Sequence, residues 1–145
     1  MLRLGLKTMS ASVLGVDTNV LIRFLTLDDE IQLEQARQLM TKPDNHPIYI
    51  SMLVLAEAFN VMTKVKKFPA AAVLDSYRAL LQSPALTVER FDMIAKAIDD
   101  ASRTNAGFSD ALIALQNAEA GCRTTATFDS KATRLAGMSP VKAHS

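Results

Sequence analysis

A chain of 145 residues with 49% hydrophobic and 21% charged side chains has material for a real core and too much of it for a disordered segment. Sixteen basic against fifteen acidic residues leave a net charge of +1, which by itself announces no nucleic-acid partner, although acids gathered round a cation would mask a basic surface. The lone Cys122 excludes an internal disulfide, His46 and His144 have no partners at zinc-ligand spacing, and no apolar run approaches the roughly 18 residues that span a bilayer, so a cytoplasmic protein without membrane contact is expected.

Residues 1–12 carry Arg3 and Lys7 around a few leucines, too short a stretch for a secretory signal. They read as a loose extension, with a single domain over residues 13–145. Val13-Leu14-Gly15-Val16 is a short apolar run suited to a buried strand, and it ends abruptly in Asp17. Thr18 and Asn19 follow, and an apolar helical pattern starts there. Taken alone, Asp17 is equally a helix cap or a ligand at the carboxyl edge of a sheet, where open α/β folds bind their substrates.

A polar break over residues 26–30 precedes an amphipathic helix carried by Ile31, Leu33, Ala36, Leu39 and Met40. A loop with two prolines, residues 42–47, leads to a short strand, Ile48-Tyr49-Ile50, and to Ser51 as a helix cap. The helix Met52 to Met62 is apolar nearly all round, which predicts burial, yet Glu57 lies inside it. Pro69 to Gln82 reads as a helix with Ala72, Val73, Tyr77, Leu80 and Leu81 inward, and Leu86-Thr87-Val88 as a strand. Phe91 to Thr104 is a helix on Ile94, Ala95, Ile98 and Ala101. A turn at Asn105-Ala106-Gly107 precedes Asp110 and a buried helix over residues 111–118 that stops at Gly121. Thr124 to Phe128 is strand-like and closes on Asp129; residues 130–135 form a short helix, and Val141 begins a last edge strand. Strands alternating with helices predict a three-layer α/β/α domain with a mostly parallel central sheet.

Four carboxylates share one peculiarity. Asp17 closes an apolar run, Glu57 interrupts one, Asp110 opens one and Asp129 closes one. Charge at such margins requires a cap, a basic partner or a cation. Asp110 and Asp129 have capping as a serious alternative, whereas Glu57 in mid-helix caps nothing. If all four converge on one crevice, their repulsion is relieved by a hard cation, and an all-oxygen donor set favours Mg²⁺ or Mn²⁺ over zinc. Such an ion completes its shell with substrate phosphate oxygens, which points to phosphodiester chemistry.

The segments Asp17-Thr18-Asn19-Val20-Leu21-Ile22-Arg23, Leu55-Ala56-Glu57, Asp110-Ala111-Leu112-Ile113-Ala114 and Thr127-Phe128-Asp129, in that order and spacing, resemble the PIN-domain ribonucleases. Among these they are most similar to the VapC-type toxins of bacterial type II toxin–antitoxin pairs. The resemblance runs from Val13 to Val141. It implies catalytic and metal-binding roles for Asp17, Glu57, Asp110 and Asp129, site-bracing roles for Thr18, Asn19 and Thr127, and RNA cleavage that leaves a 5′-phosphate and a 3′-hydroxyl. It also implies a homodimer and a cognate antitoxin that inserts into the active-site groove. Arg23, Lys131 and Arg134 follow the acids at short range and are candidate RNA phosphate contacts, with solvated helix faces as the alternative. A housekeeping PIN nuclease and a non-catalytic PIN interaction module are the rival readings within the fold. A haloacid-dehalogenase-like phosphohydrolase would need a second Asp two residues after its nucleophile, where Asn19 stands.

Overall fold

The computed structural model describes residues 13–26 and 30–145. The expected extension at residues 1–12 and the acidic break at residues 27–29 lie outside the described residues.

Strand β1, Leu14–Gly15, turns at Val16-Asp17 into helix α1, Thr18–Leu25, and α2, Glu30–Thr41, follows. A 3₁₀ turn at Pro43–Asn45 and a cis His46–Pro47 bond lead into β2, Ile48–Ile50. Helix α3, Met52–Asn60, runs on into a π-helical turn, Val61–Val65, before α4, Ala70–Leu81, and β3, Leu86–Val88. Then come α5, Phe91–Thr104, α6, Phe108–Glu119, β4, Thr125–Thr127, a single 3₁₀ turn at Ala132–Arg134, β5, Met138–Pro140, and a terminal 3₁₀ turn, Val141–His144.

All pairings among these strands are parallel. β2 lies between β1 and β3, with Leu14 opposite Ile48 and Ile48 opposite Leu86. β4 and β5 form a second, two-stranded sheet, with Thr127 opposite Pro140. Parallel neighbours need long crossovers. Here α1 with α2, and α3 with α4, supply those of the first sheet, and the whole is a three-layer α/β/α arrangement. Parallel pairing has a further consequence: Asp17, two residues beyond β1, and Ser51 and Glu89, which directly follow β2 and β3, leave the first sheet on one edge.

The core is continuous across the helices. Ile48 and Ile50 are fully buried on β2, and Ile50 shares one core cluster with Leu21, Leu55, Ile94, Ile98 and Phe108. The Phe108 ring packs 5.6 Å from Phe59 and meets Tyr77 edge-on at 5.3 Å, the tilted geometry that aromatic quadrupoles favour. Tyr77 is buried, and its hydroxyl donates to the Leu55 carbonyl at 2.7 Å, so its polar end is satisfied while burial pushes its pKa far up.

Five expectations need correction. Helix α3 is not enclosed: Leu53 is 69% exposed and Glu57 lies on the same open side, because α3 has only one face against the core. Ile31 on α2 and Ala72 on α4 are exposed, so the buried stripes there are narrower than their apolar patterns. Residues 130–135 supply one 3₁₀ turn rather than a helix. The α6 helix starts at Phe108, one turn before its apolar run, because Gly107 takes the cap position. The last strand ends at Pro140 instead of beginning at Val141; a proline fits there because β5 is an edge strand whose other side makes no ladder.

Candidate active site

Asp17 is the N-cap of α1. Its backbone is extended, and its Oδ1 accepts from the Val20 N–H at 3.0 Å. Asp17 itself is therefore the cap, one of the two roles its place in the sequence left open. Thr18 instead opens the helix, and its Oγ1 donates to Glu57 Oε1 at 2.8 Å. That bond ties the β1–α1 corner to the middle of α3. It also gives Glu57 a partner other than a buried cation. Asn19 is exposed one residue on and lines a groove together with Asp17.

Asp110 is in the first turn of α6, where the unsatisfied N–H groups of the helix favour an anion. It is half-buried, and burial pushes its carboxyl above the usual carboxylate range. The negative charge of Asp129 adds to that push, and Lys64 draws it partly back. A side chain at position 107 would bring its Cβ within 3.3 Å of Asp110 Oδ2, so the glycine there leaves the carboxylate its room. Asp129 follows β4 in a tight polar turn. Its backbone N–H donates to Thr127 Oγ1 at 3.0 Å, and its Oδ1 accepts from the Lys131 N–H at 2.8 Å. Thr127 thus shapes the turn that carries Asp129. Phe128 between them is 93% exposed.

The four acids form two linked pairs. The Thr18–Glu57 bond joins the Asp17 corner to Glu57, and the charge of Asp129 bears on Asp110. Ser109 bridges the pairs: its Oγ donates to the Ala56 carbonyl at 3.0 Å and lies 3.3 Å from Asn60 Oδ1. Ser109 directly precedes Asp110 in sequence, and Ala56, whose carbonyl accepts its bond, directly precedes Glu57. Asp17, Glu57 and Asp129 are exposed. Among the described residues no three carboxylates, histidines or cysteines stand close enough together to hold one ion. The donor set nevertheless suits a hard cation that takes one or two carboxylates directly and fills its remaining shell with water. Asp110 with Asp129 is such a pair, and their repulsion is the feature a cation removes.

The candidate phosphate contacts are spread out. Arg23 reaches across to α2, where its Nε donates to Gln32 Oε1 at 2.6 Å. Arg134 donates from Nη1 to the Thr104 carbonyl at 3.2 Å. Lys131 is exposed beside Asp129. Two residues near the acids escaped the sequence reading. Ser109 had the one signal of standing next to Asp110. Lys64 stands in the π-helical turn, which leaves no mark in the periodicity.

The sequence profile of the PIN domain family matches residues 15–138, nearly the whole of the described chain. Comparison with curated proteins returned no match. The order of the parallel strands, the acids that follow β1 and β4, and those on α3 and α6 all fall inside the matched region. The chain belongs to the PIN domain family, whose members are generally nucleases.

Proposed function

We propose that this protein is a metal-dependent endoribonuclease and the toxin component of a type II toxin–antitoxin pair. The observation that carries the nuclease reading is the match of the PIN domain family over residues 15–138, a span that holds Asp17, Glu57, Asp110 and Asp129. Asp110 and Asp129 would hold Mg²⁺ or Mn²⁺, with Asp17 and Glu57 completing the acidic rim. A divalent cation bound there supplies activation of water and neutralisation of charge developing on the phosphate.

The remaining work falls to the chain itself. Asp17 keeps one oxygen on the Val20 N–H, which fixes the direction of its other oxygen. Thr18 holds Glu57 toward the β1–α1 corner, and Thr127 holds the turn that presents Asp129. Arg23, Lys131 and Arg134 are the proposed phosphate contacts. Water attacks phosphorus, the bond to the 3′ oxygen breaks, and that oxygen leaves with a proton, giving a 5′-phosphate and a 3′-hydroxyl. The toxin role, a homodimer and a partner antitoxin rest on the similarity of the acidic segments to VapC-type toxins.

The test is cleavage of total RNA by the full chain with Mg²⁺ or Mn²⁺, beside Asp17→Asn and a chelator control. Asn retains the capping oxygen, so the variant should fold. Its cleavage should fall at least about 100-fold, the loss that disturbing a metal site brings. Undiminished cleavage by Asp17→Asn, or cleavage indifferent to chelator, rejects the metal-site reading. A wild-type chain that binds RNA without cutting it is an interaction module.

A further inference from the structure

We infer that Phe128 is a stacking platform for a base of single-stranded RNA, set next to Asp129; this rests on the ribonuclease reading. Thr127 pairs with Pro140 at the ends of β4 and β5, so the residues that follow, Phe128 and Val141, leave the second sheet at one edge. The carboxyl edge of a parallel sheet is where α/β folds receive ligands. A groove of about 490 Å³ opens there, within the range of small-ligand clefts, and Phe128 lines it.

A single exposed apolar side chain needs no explanation of its own. The surroundings of this one give it a use. Phe128 is 93% exposed, whereas Pro140 and Val141, its apolar neighbours in the groove, are small and half-buried. A protein anchor fills a desolvated pocket in a well-packed patch; here the rest of the lining is polar, with Ser130, Thr133 and Lys142 and no carboxylate. From Ser130 to Ser145 the chain carries Lys131, Arg134 and Lys142 and no acidic side chain. Arg134 is engaged by the Thr104 carbonyl, but Lys131 and Lys142 are exposed. One flat ring among exposed cations is the combination that holds single strands: the cations follow the phosphates, and a base stacks on the aromatic face. Every base has such a face, so the ring anchors a nucleotide without choosing among bases. The turn bonds at Thr127 and Lys131 fix the backbone on either side of Phe128. A nucleotide held on the ring is thus anchored one residue from Asp129.

The experiment measures binding without cleavage. A fluorescent oligouridylate is titrated with the full Asp17→Asn chain in Mg²⁺ and followed by anisotropy, with and without changes at position 128. Phe128→Ala removes no core contact and should weaken binding about fivefold or more, the effect of losing one base–aromatic stack. Phe128→Trp should bind at least as tightly, and because the chain has no tryptophan of its own, the new fluorescence should be quenched as the strand binds. An abasic ribose–phosphate strand should bind equally with Phe128 and with alanine there. Unchanged affinity in Phe128→Ala, full affinity in Phe128→Leu, or an equal loss with the abasic strand would overturn the inference. So would a change of oligomeric state in Phe128→Ala, read by sedimentation, which would make the ring a contact between copies of the chain. RNA cutting by the wild-type chain beside an affinity that ignores position 128 sinks the platform alone; a chain that neither cuts nor binds RNA sinks the ribonuclease reading with it.

Discussion

The two parallel sheets are held together by different physics. In β1–β2–β3 the central strand is sealed on one face, where Ile48 and Ile50 are fully buried, and half-covered on the other at Tyr49. In β4–β5 Ala126 is exposed, and hydroxyl and amide groups hold the strands and their flank. Asn117 Nδ2 donates to Thr125 Oγ1 at 3.0 Å, Thr124 and Ser139 share a hydrogen bond at 2.9 Å, and the Thr125 N–H reaches the Gly137 carbonyl at 2.7 Å. Apolar burial supplies most of the stabilisation in a fold, whereas a solvent-accessible hydrogen bond contributes little net free energy. The first sheet therefore carries stability, and the second carries Asp129 on a weaker support.

The sharpest way to break this contrast is Ile50→Ala. It should lower global unfolding stability by about 2–5 kcal/mol, the range for a large-to-alanine change in a packed core, read by chemical denaturation. A loss confined to amides near β2 would show that the first sheet does not anchor the fold. Asn117→Ala tests the other half. It should cost about 1 kcal/mol, the worth of one hydrogen bond, and hydrogen exchange should quicken at residues 125–127 and 138–140 while β2 keeps its protection. Equal quickening in both sheets would mean they open as one unit.

The smallest effect concerns the link between the two regions. Arg90, at the start of α5, makes an ion pair of 2.7 Å with Glu119 at the end of α6, and one of 3.2 Å with Asp92. The Arg90 guanidinium holds both carboxyls below their usual range. Carboxyls with lowered pKa bind fewer protons when folded than when unfolded, so their contribution is present above the ordinary carboxylate pKa and lost as pH falls through the lowered values. All three side chains are solvent-exposed, so the effect is small and weakens with salt. Arg90→Ala should narrow the gap between melting temperatures at neutral and acid pH. An unchanged gap would remove the pair from any role in joining α5 to α6.

What the sequence made legible follows the same division. Where apolar periodicity met a polar cap, as at Ser51 before α3, both the element and its start were readable, and Ser51 Oγ does accept from the Val54 N–H at 3.2 Å. The strands at Ile48–Ile50 and Leu86–Val88 were equally plain, because β-branched runs between turn residues have few alternatives. Where small polar residues carry the structure, the reading slipped. Met138-Ser139-Pro140 has no apolar alternation, so the last strand was placed too late. The acids were legible as misfits among apolar neighbours, but their pairing was not. Thr18 reaching Glu57 is a contact across thirty-nine residues, and Ser109 reaching α3 spans more than fifty. Such bonds depend on how helices pack, which a single sequence does not display.

One residue both starts a helix and offers an exposed carboxylate, and heredity feels that double duty. Replacing Asp17 by alanine removes a cap worth about 1 kcal/mol along with the charge, so the product is weakened as well as altered. Replacing it by asparagine needs a single base change in the codon and spares the Val20 N–H bond in kind. Mutation thus has a short path to a chain that folds, keeps its surfaces and lacks one carboxylate.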